Sequence, residues 1–285
     1  MAGEAVVARD LGKPIRGPSA LGDDPRRALH LARALAVTDF KLRFFGSVLG
    51  YFWQLLRPLL LFGVLFFAFT EFVRIGEGVR FYAVLLLSNI VLFTFFAEGT
   101  SAVTSLVDRE NLVRKVQFPL LAIPLATVLQ AAFNLGVNGA AIVLFALVSG
   151  VRPHWSWFEL PLLLAIFWVY VLGLAMLLSA GFVRFRDVKP IWEVVVQLLF
   201  YATPIIYAIE TIGVSRRVQE LIMLNPLAAI LQQFRHAMID PTAPSAAQAA
   251  GGWAALLVPA GIIVGAFALG FWYFNREAPR IAEEL

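Results

Sequence analysis

Cysteine is absent from the 285 residues of this chain, which removes disulfides, thiolate nucleophiles, iron–sulfur clusters and cysteine zinc sites from consideration. Charge is scarce too: Asp, Glu, Lys and Arg make up 15% of residues, against about 25% in an ordinary water-soluble domain. The three histidines, His30, His154 and His236, are too far apart for a His-x-x-x-His metal pair. Adjacent acids occur only near the two ends, as Asp23-Asp24 and Glu283-Glu284, so no positioned acid pair for glycosyl transfer is present. The one Gly-Lys, Gly12-Lys13, is followed by Pro14 and lacks the earlier glycine of a phosphate-binding Gly-x-x-x-x-Gly-Lys-Ser/Thr loop. The chain therefore reads as no enzyme by itself, with no metal or cofactor of its own.

What is abundant is apolar side chain, at 60% of residues against about 45–50% in soluble domains. Too little polar surface remains to coat a soluble fold, so the chain reads as an all-α integral membrane protein. A hydrocarbon core of roughly 30 Å needs about 20 apolar residues per helix, and that length predicts six spans. They fall at about 53–73, 81–107, 118–148, 160–183, 191–209 and 253–274 within a transmembrane domain of residues 51–285. The third span, about 46 Å as a continuous helix, must tilt, kink near Pro124 or project beyond the bilayer.

Residues 1–22 lack helical period and read as a disordered cytoplasmic tail. Residues 23–50 read as an amphipathic helix at the headgroups, with Asp24 as cap, Pro25 first, and Leu31, Leu35, Leu42 and Phe45 on one broad face. Arg26, Arg27, Arg33, Lys41 and Arg43 suit anionic lipid, although a helix packed on protein would show the same pattern. Seventeen of the 23 Lys and Arg residues lie in the N-terminal arm, at 108–117, at 184–190 and after Phe274. Basic loops stay cytoplasmic, so both termini are expected inside. The pI near 9.6 is then a topology signal, and no nucleic-acid partner is expected.

Three spans carry polar seams at helical spacing. They are Thr94, Glu98, Ser101 and Ser105 in the second, Gln130, Asn134 and Asn138 in the third, and Glu193, Gln197 and Tyr201 in the fifth. Such seams either line a path for polar cargo or bond helix to helix. Glu98 is the one clearly interior acid, whereas an ion-coupled transporter would show several. Trp53, Trp155, Trp157, Trp192, Trp253, Trp272 and Tyr273 fall at span ends as an interfacial belt. Tyr51, Phe200, Tyr201 and Tyr207 offer faces on which sugar rings stack. Gly261 and Gly265 form a Gly-x-x-x-Gly match expected to pack inside the subunit. Between the last two spans, residues 215–240 are apolar but broken at Asn225-Pro226. They predict two short helices dipping into the outer interface, placed to cap or gate an exit.

Taken in order, several motifs resemble one family. They are Arg43 with Ser47-Val48-Leu49-Gly50 and Trp53 leading to Pro58; Asn111-Leu112-Val113-Arg114-Lys115-Val116-Gln117-Phe118-Pro119; Arg186-Asp187; Thr203-Pro204-Ile205-Ile206-Tyr207; and Asn225-Pro226. Over about residues 26–285 the chain is similar to the membrane subunit of ABC polysaccharide exporters, which move O-antigen, galactan or teichoic-acid polymers. Arg57 departs from the pattern, in which a neutral residue often precedes the proline.

The resemblance implies a permease for a lipid-linked polysaccharide in the bacterial cytoplasmic (inner) membrane. Its ATP and Mg would be bound by a separate ABC nucleotide-binding subunit, present in two copies. It also makes 108–117 a coupling segment docked on that ATPase, with Leu112 and Val113 in a partner groove and Glu110, Arg114 and Lys115 at the rim beside Asn111. Asn225 and Pro226 fall in the outer gate. The expected channel lining is Tyr51, Glu98, Gln130, Asn134, Asn138, Gln197, Tyr201 and Tyr207. Six helices make a thin wall around a hydrated polymer, so a homodimer is the economical assembly. A permease for drugs or small lipids, and an ion-coupled secondary transporter, remain alternatives.

Overall fold

A computed structural model describes residues 25–44, 50–115, 119–211 and 213–284, and among these every regular element is helical. The expected tail 1–22, the Asp24 cap and the turn residues 46–49 lie outside the described residues, as do the side chains of Tyr51, Arg114 and Lys115. Five helical stretches are long and apolar enough to cross a membrane: Phe52–Phe72, Tyr82–Thr104, Ala122–Val148, Trp155–Arg184 and Trp253–Ile281.

Helix α1 (Pro25–Phe44) lies against α5 (Ala122–Val148). Its buried stripe is Ala28, Ala32 and Ala36, one residue per turn, while Leu42 is exposed. Leu31 and Leu35 of the predicted face pack partly buried against the core, but the buried centre of the contact is alanine, because small side chains let two helix backbones approach closely. Phe40 meets Phe133 of α5 edge to face at 6.1 Å, and Asp39 pairs with Arg109.

Helix α2 (Gly50–Phe67, continued by a π turn to Phe72) and α3 (Tyr82–Thr100, continued by a 3-10 turn to Thr104) follow. α3 is the central helix, buried on nearly every side. Its aromatic run fans outward: Phe93 meets Phe200 at 5.2 Å, Phe95 meets Phe167 at 5.1 Å, and Phe96 lies between Tyr170 and Trp192. One helix thereby fixes both α6 (Leu160–Arg184) and α7 (Val188–Ala202).

α6 and α11 (Leu257–Glu284) form the closest helix pair. A Cβ on Gly173 would stand 2.6 Å from the Phe267 backbone, and one on Gly270 would strike the Gly173 carbonyl. Gly261 and Gly265 have nothing within 4 Å of an added Cβ. The Gly-x-x-x-Gly match thus does not pack inside the subunit; the contact has moved along α11 to Gly270, where α6 offers a glycine in return.

The fifth predicted span is corrected. Helix α7 has 15 residues, about 22 Å, and stops at Thr203, which is extended at φ −95°, ψ 144°. Pro204 is the cause: it donates no N–H and pushes the preceding residue out of helical geometry. Residues 203–207 continue as irregular but buried chain, with Thr203, Ile205 and Ile206 buried. Non-helical backbone at membrane depth persists only where protein satisfies its polar groups. Asn89 Nδ2 donates to the Pro204 and Ile205 carbonyls at 3.0 and 3.1 Å, and Tyr82 Oη donates to the Ile206 carbonyl at 2.7 Å.

The third span begins at Ala122 rather than 118, which puts Pro124 in the first helical turn, where its missing N–H costs nothing and no kink is needed. The sixth helix runs about ten residues past the predicted edge, to Glu284. The 215–240 segment breaks where expected, into α8 (Arg216–Ile222) and α9 (Pro226–Phe234), with a π turn Arg235–Ile239. Asn225 caps α9 by accepting from the Leu227 N–H at 3.0 Å, with Pro226 at the first helical position. A short α10 (Ala246–Ala249) carries a capping box from Ser245 and Gln248.

Candidate functional site

A cavity of about 720 Å³ opens between α2, α3 and α5, lined by Gln54, Arg57, Glu98, Ser101, Asn134 and Asn138 among apolar neighbours, with Phe200 of α7 at one side. Glu98 and Asn134 are 36 residues apart in sequence, yet Asn134 Nδ2 donates to Glu98 Oε2 at 2.6 Å. The pair bonds α3 to α5 and lines a hollow at once. The hydroxyls beside them turn to their own helix, Thr94 to the Ile90 carbonyl and Ser101 to the Glu98 carbonyl. Asn138 Nδ2 likewise donates to the Asn134 carbonyl at 2.9 Å.

A second hollow of about 580 Å³ shares Ala97 and Ser101 with the first and reaches Ser105, Asp108, Arg109, Lys189 and Glu193. A polar cleft therefore runs along one face of α3, from mid-helix to the residue just before α4 (Glu110–Lys115). Among the described residues no three His, Asp or Glu side chains come together to hold a metal.

The predicted lining divides. Glu98, Asn134 and Asn138 share the cavity. Gln130, one turn toward the start of α5, is half-buried and outside it. Gln197 and Tyr201 sit on the exposed face of α7 with Ile191, Val194 and Leu198, since neighbouring helical positions point about 100° apart and Phe200 takes the inward one. Tyr207 packs half-buried against the core after the helix has broken. Of the tryptophans proposed for the belt, Trp53, Trp155, Trp253 and Trp272 are exposed, while Trp192 turns in against Phe96. Sequence reasoning missed Asn89, whose signal was an amide in an otherwise apolar run, and gave no cavity role to Gln54 or Arg57.

Residues 110–115 form the short helix α4, and its apolar side faces home. Val113 is buried and Leu112 packs partly buried against the subunit's own core, which leaves Leu112 half-exposed and Val113 covered. Among the described side chains of α4, Asn111 is exposed and Glu110 beside it is half-exposed.

On the opposite side, Asn225 Nδ2 donates to Thr203 Oγ1 at 2.9 Å, tying the start of α9 to the broken end of α7. Arg235, 4% exposed at its side chain, grips Glu210 with two bonds of 2.9 and 2.6 Å. Ser156 and Trp157 donate to the Ala237 and Met238 carbonyls at 2.7 and 3.1 Å. α9 and its π turn are thus fastened both to the end of α7 and to the turn before α6.

Residues 30–239 match the family described as ABC-2 type transporter. Three curated proteins are similar over most of their length, each named O-antigen export system permease protein RfbA. One from Klebsiella pneumoniae is 28% identical over 249 residues, 87% of this chain and 92% of that one. A second from Klebsiella pneumoniae is 28% identical over 204 residues, 71% and 77% of the two chains. One from Myxococcus xanthus is 29% identical over 226 residues, 77% and 86%. With membrane-length helices around a polar cleft and a match spanning most of its residues, the chain belongs to the ABC-2 type transporter membrane family.

Proposed function

We propose that this chain is the permease subunit for export of a lipid-linked polysaccharide of the O-antigen, galactan or teichoic-acid type across the bacterial cytoplasmic membrane. The observation that carries the reading is the polar cleft on α3, which joins the Glu98–Asn134 cavity to Arg109 at the foot of α4. A hydrated polymer needs hydrogen-bonding groups at membrane depth, and this cleft supplies them where movement of α4 acts on the wall directly. The similarity to three O-antigen export permeases supports the same cargo class.

In this reading two copies of the chain enclose the path, and α7 is the natural seam. It has no fully buried residue, and its face of Ile191, Val194, Gln197, Leu198 and Tyr201 is left uncovered by the described residues of the subunit. Two separate ABC ATPase subunits bind ATP and Mg and press on α4 through Asn111 and Glu110 from the cytoplasmic side, where both termini lie. The outer helices α8 and α9 gate the exit, with Asn225 joining them to the end of α7.

Reconstitution of the chain with its ATPase in proteoliposomes tests this, using a fluorescent lipid-linked oligosaccharide. ATP-dependent movement of the glycan lipid that is lost without the ATPase is the expected result. Movement that follows a proton or sodium gradient without nucleotide overturns the reading in favour of a secondary transporter. ATP-dependent movement of a short lipid but not of the glycan lipid replaces the cargo.

A further inference from the structure

The cavity between α2, α3 and α5 has an imbalance that helix packing does not use. Two amide oxygens in its wall, Gln54 Oε1 and Asn134 Oδ1, are buried and accept no hydrogen bond, and Asn134 is 4% exposed. Three neighbouring polar groups already donate elsewhere: Asn134 Nδ2 to Glu98, Asn138 Nδ2 to the Asn134 carbonyl, Ser101 Oγ to the Glu98 carbonyl. Acceptors are left over, and a buried acceptor without a donor is costly to keep.

Arg57 is unmatched in the opposite sense. It is the eighth residue of α2, about 10 Å along a membrane-crossing helix. It is exposed to the cavity and makes no ion pair among the described residues. An arginine at membrane depth is expensive unless it meets water or a counter-charge. Water would serve the amide oxygens; the one carboxylate in this wall, Glu98, is bonded to Asn134 and forms no ion pair with Arg57, so the guanidinium stays open to an incoming anion. Trp53, one turn before Arg57 on the same face, is half-exposed at the rim and offers a ring for the apolar face of a sugar. The volume lies within the range of about 300–1,000 Å³ usual for small-ligand sites.

We infer that this cavity is a glycosyl phosphate subsite, in which Arg57 pairs with the phosphate while Gln54, Asn134 and Glu98 accept from sugar hydroxyls. The inference rests on the export reading for the arrival of such a group. Where a glycan is joined to a lipid through phosphate, that junction sets hydroxyls and fixed negative charge side by side. The subsite would then hold the leading end of the cargo on the α2 side of the cleft.

Because the chain contains no cysteine, Ser101→Cys on the exposed cavity wall provides a single reporter thiol. The full chain is placed in phosphatidylcholine nanodiscs, and the rate of maleimide labelling is followed with glucose 1-phosphate, methyl glucoside or inorganic phosphate. Glucose 1-phosphate is expected to slow labelling at a concentration about tenfold below either single-feature probe. Arg57→Gln is expected to raise that concentration at least about tenfold, as loss of a charge-assisted bond implies, and Arg57→Lys less. Gln54→Leu weakens protection by glucose 1-phosphate and methyl glucoside but not by phosphate.

Equal protection with and without Arg57, or methyl glucoside matching glucose 1-phosphate, overturns the proposal. So does protection by phosphatidylglycerol in the disc that equals that of glucose 1-phosphate and vanishes in Arg57→Gln, which would make Arg57 a headgroup anchor. Protection without ATP-driven glycan movement would sink the export reading and leave the subsite standing. Glycan movement without protection would do the reverse.

Discussion

Replacing Asn89 by leucine tests whether the break after α7 is held open by α3. The side chain is nearly the same size, so the change is chemical rather than steric. Two buried carbonyls, of Pro204 and Ile205, lose their donor, at about 1–3 kcal/mol each. Asn89 Oδ1, itself buried without a partner, disappears with the substitution and returns one such cost. The net is one unsatisfied group, roughly 1–3 kcal/mol, concentrated on residues 203–207. Hydrogen exchange on the full chain in nanodiscs reads this directly: amides around 203–210 should exchange roughly 5–150-fold faster, and those of α5 and α6 at their former rate. Asn89→Asp should be worse than leucine, because it turns the donor into an acceptor facing two carbonyls. Unchanged exchange at 203–210 in Asn89→Leu, or a milder effect from aspartate, would show that the carbonyls are satisfied another way and that Asn89 does not support the break.

The Arg235–Glu210 pair should respond asymmetrically, since Arg235 is buried and Glu210 is 36% exposed. Glu210→Ala strands a buried guanidinium at about 3–5 kcal/mol, whereas Arg235→Met leaves a carboxylate that reaches water. Thermal unfolding in detergent should therefore rank Glu210→Ala well below Arg235→Met. Gly270→Ala drives a methyl into the Gly173 carbonyl and should cost about 1–3 kcal/mol or more. Gly265→Ala, with open space around it, should stabilise by up to about 1 kcal/mol; the same melts compare them. At α4, Asn111→Trp should weaken copurification of the ATPase while leaving subunit stability unchanged. Leu112→Glu should lower stability itself, because Leu112 packs on the core, and equal melts for the two variants would contradict that placement.

The sequence alone determined the class, because solvent enforces it: a chain 60% apolar with no cysteine and few charges has membrane-length helices as its available solution. It also located the Asn225-Pro226 break and the short helix after the second span, since a proline and a cluster of charges act locally. The same proline rule applied at Pro204, and reading 191–209 as one apolar run passed over it. The sequence left open which polar residues meet, because spacing sets a face but not what that face looks at. Glu98 and Asn134 share a bond, Gln197 and Tyr201 share none with them, and Val113 turns inward, all by the rotation of packed helices about their axes. Tertiary structure alone chose Gly173 and Gly270 over Gly261 and Gly265, because a close approach needs a small residue on both helices at one height. It likewise put Arg57 of α2 and Asn134 of α5 into the wall of one cavity, an approach of two helices that no local pattern encodes.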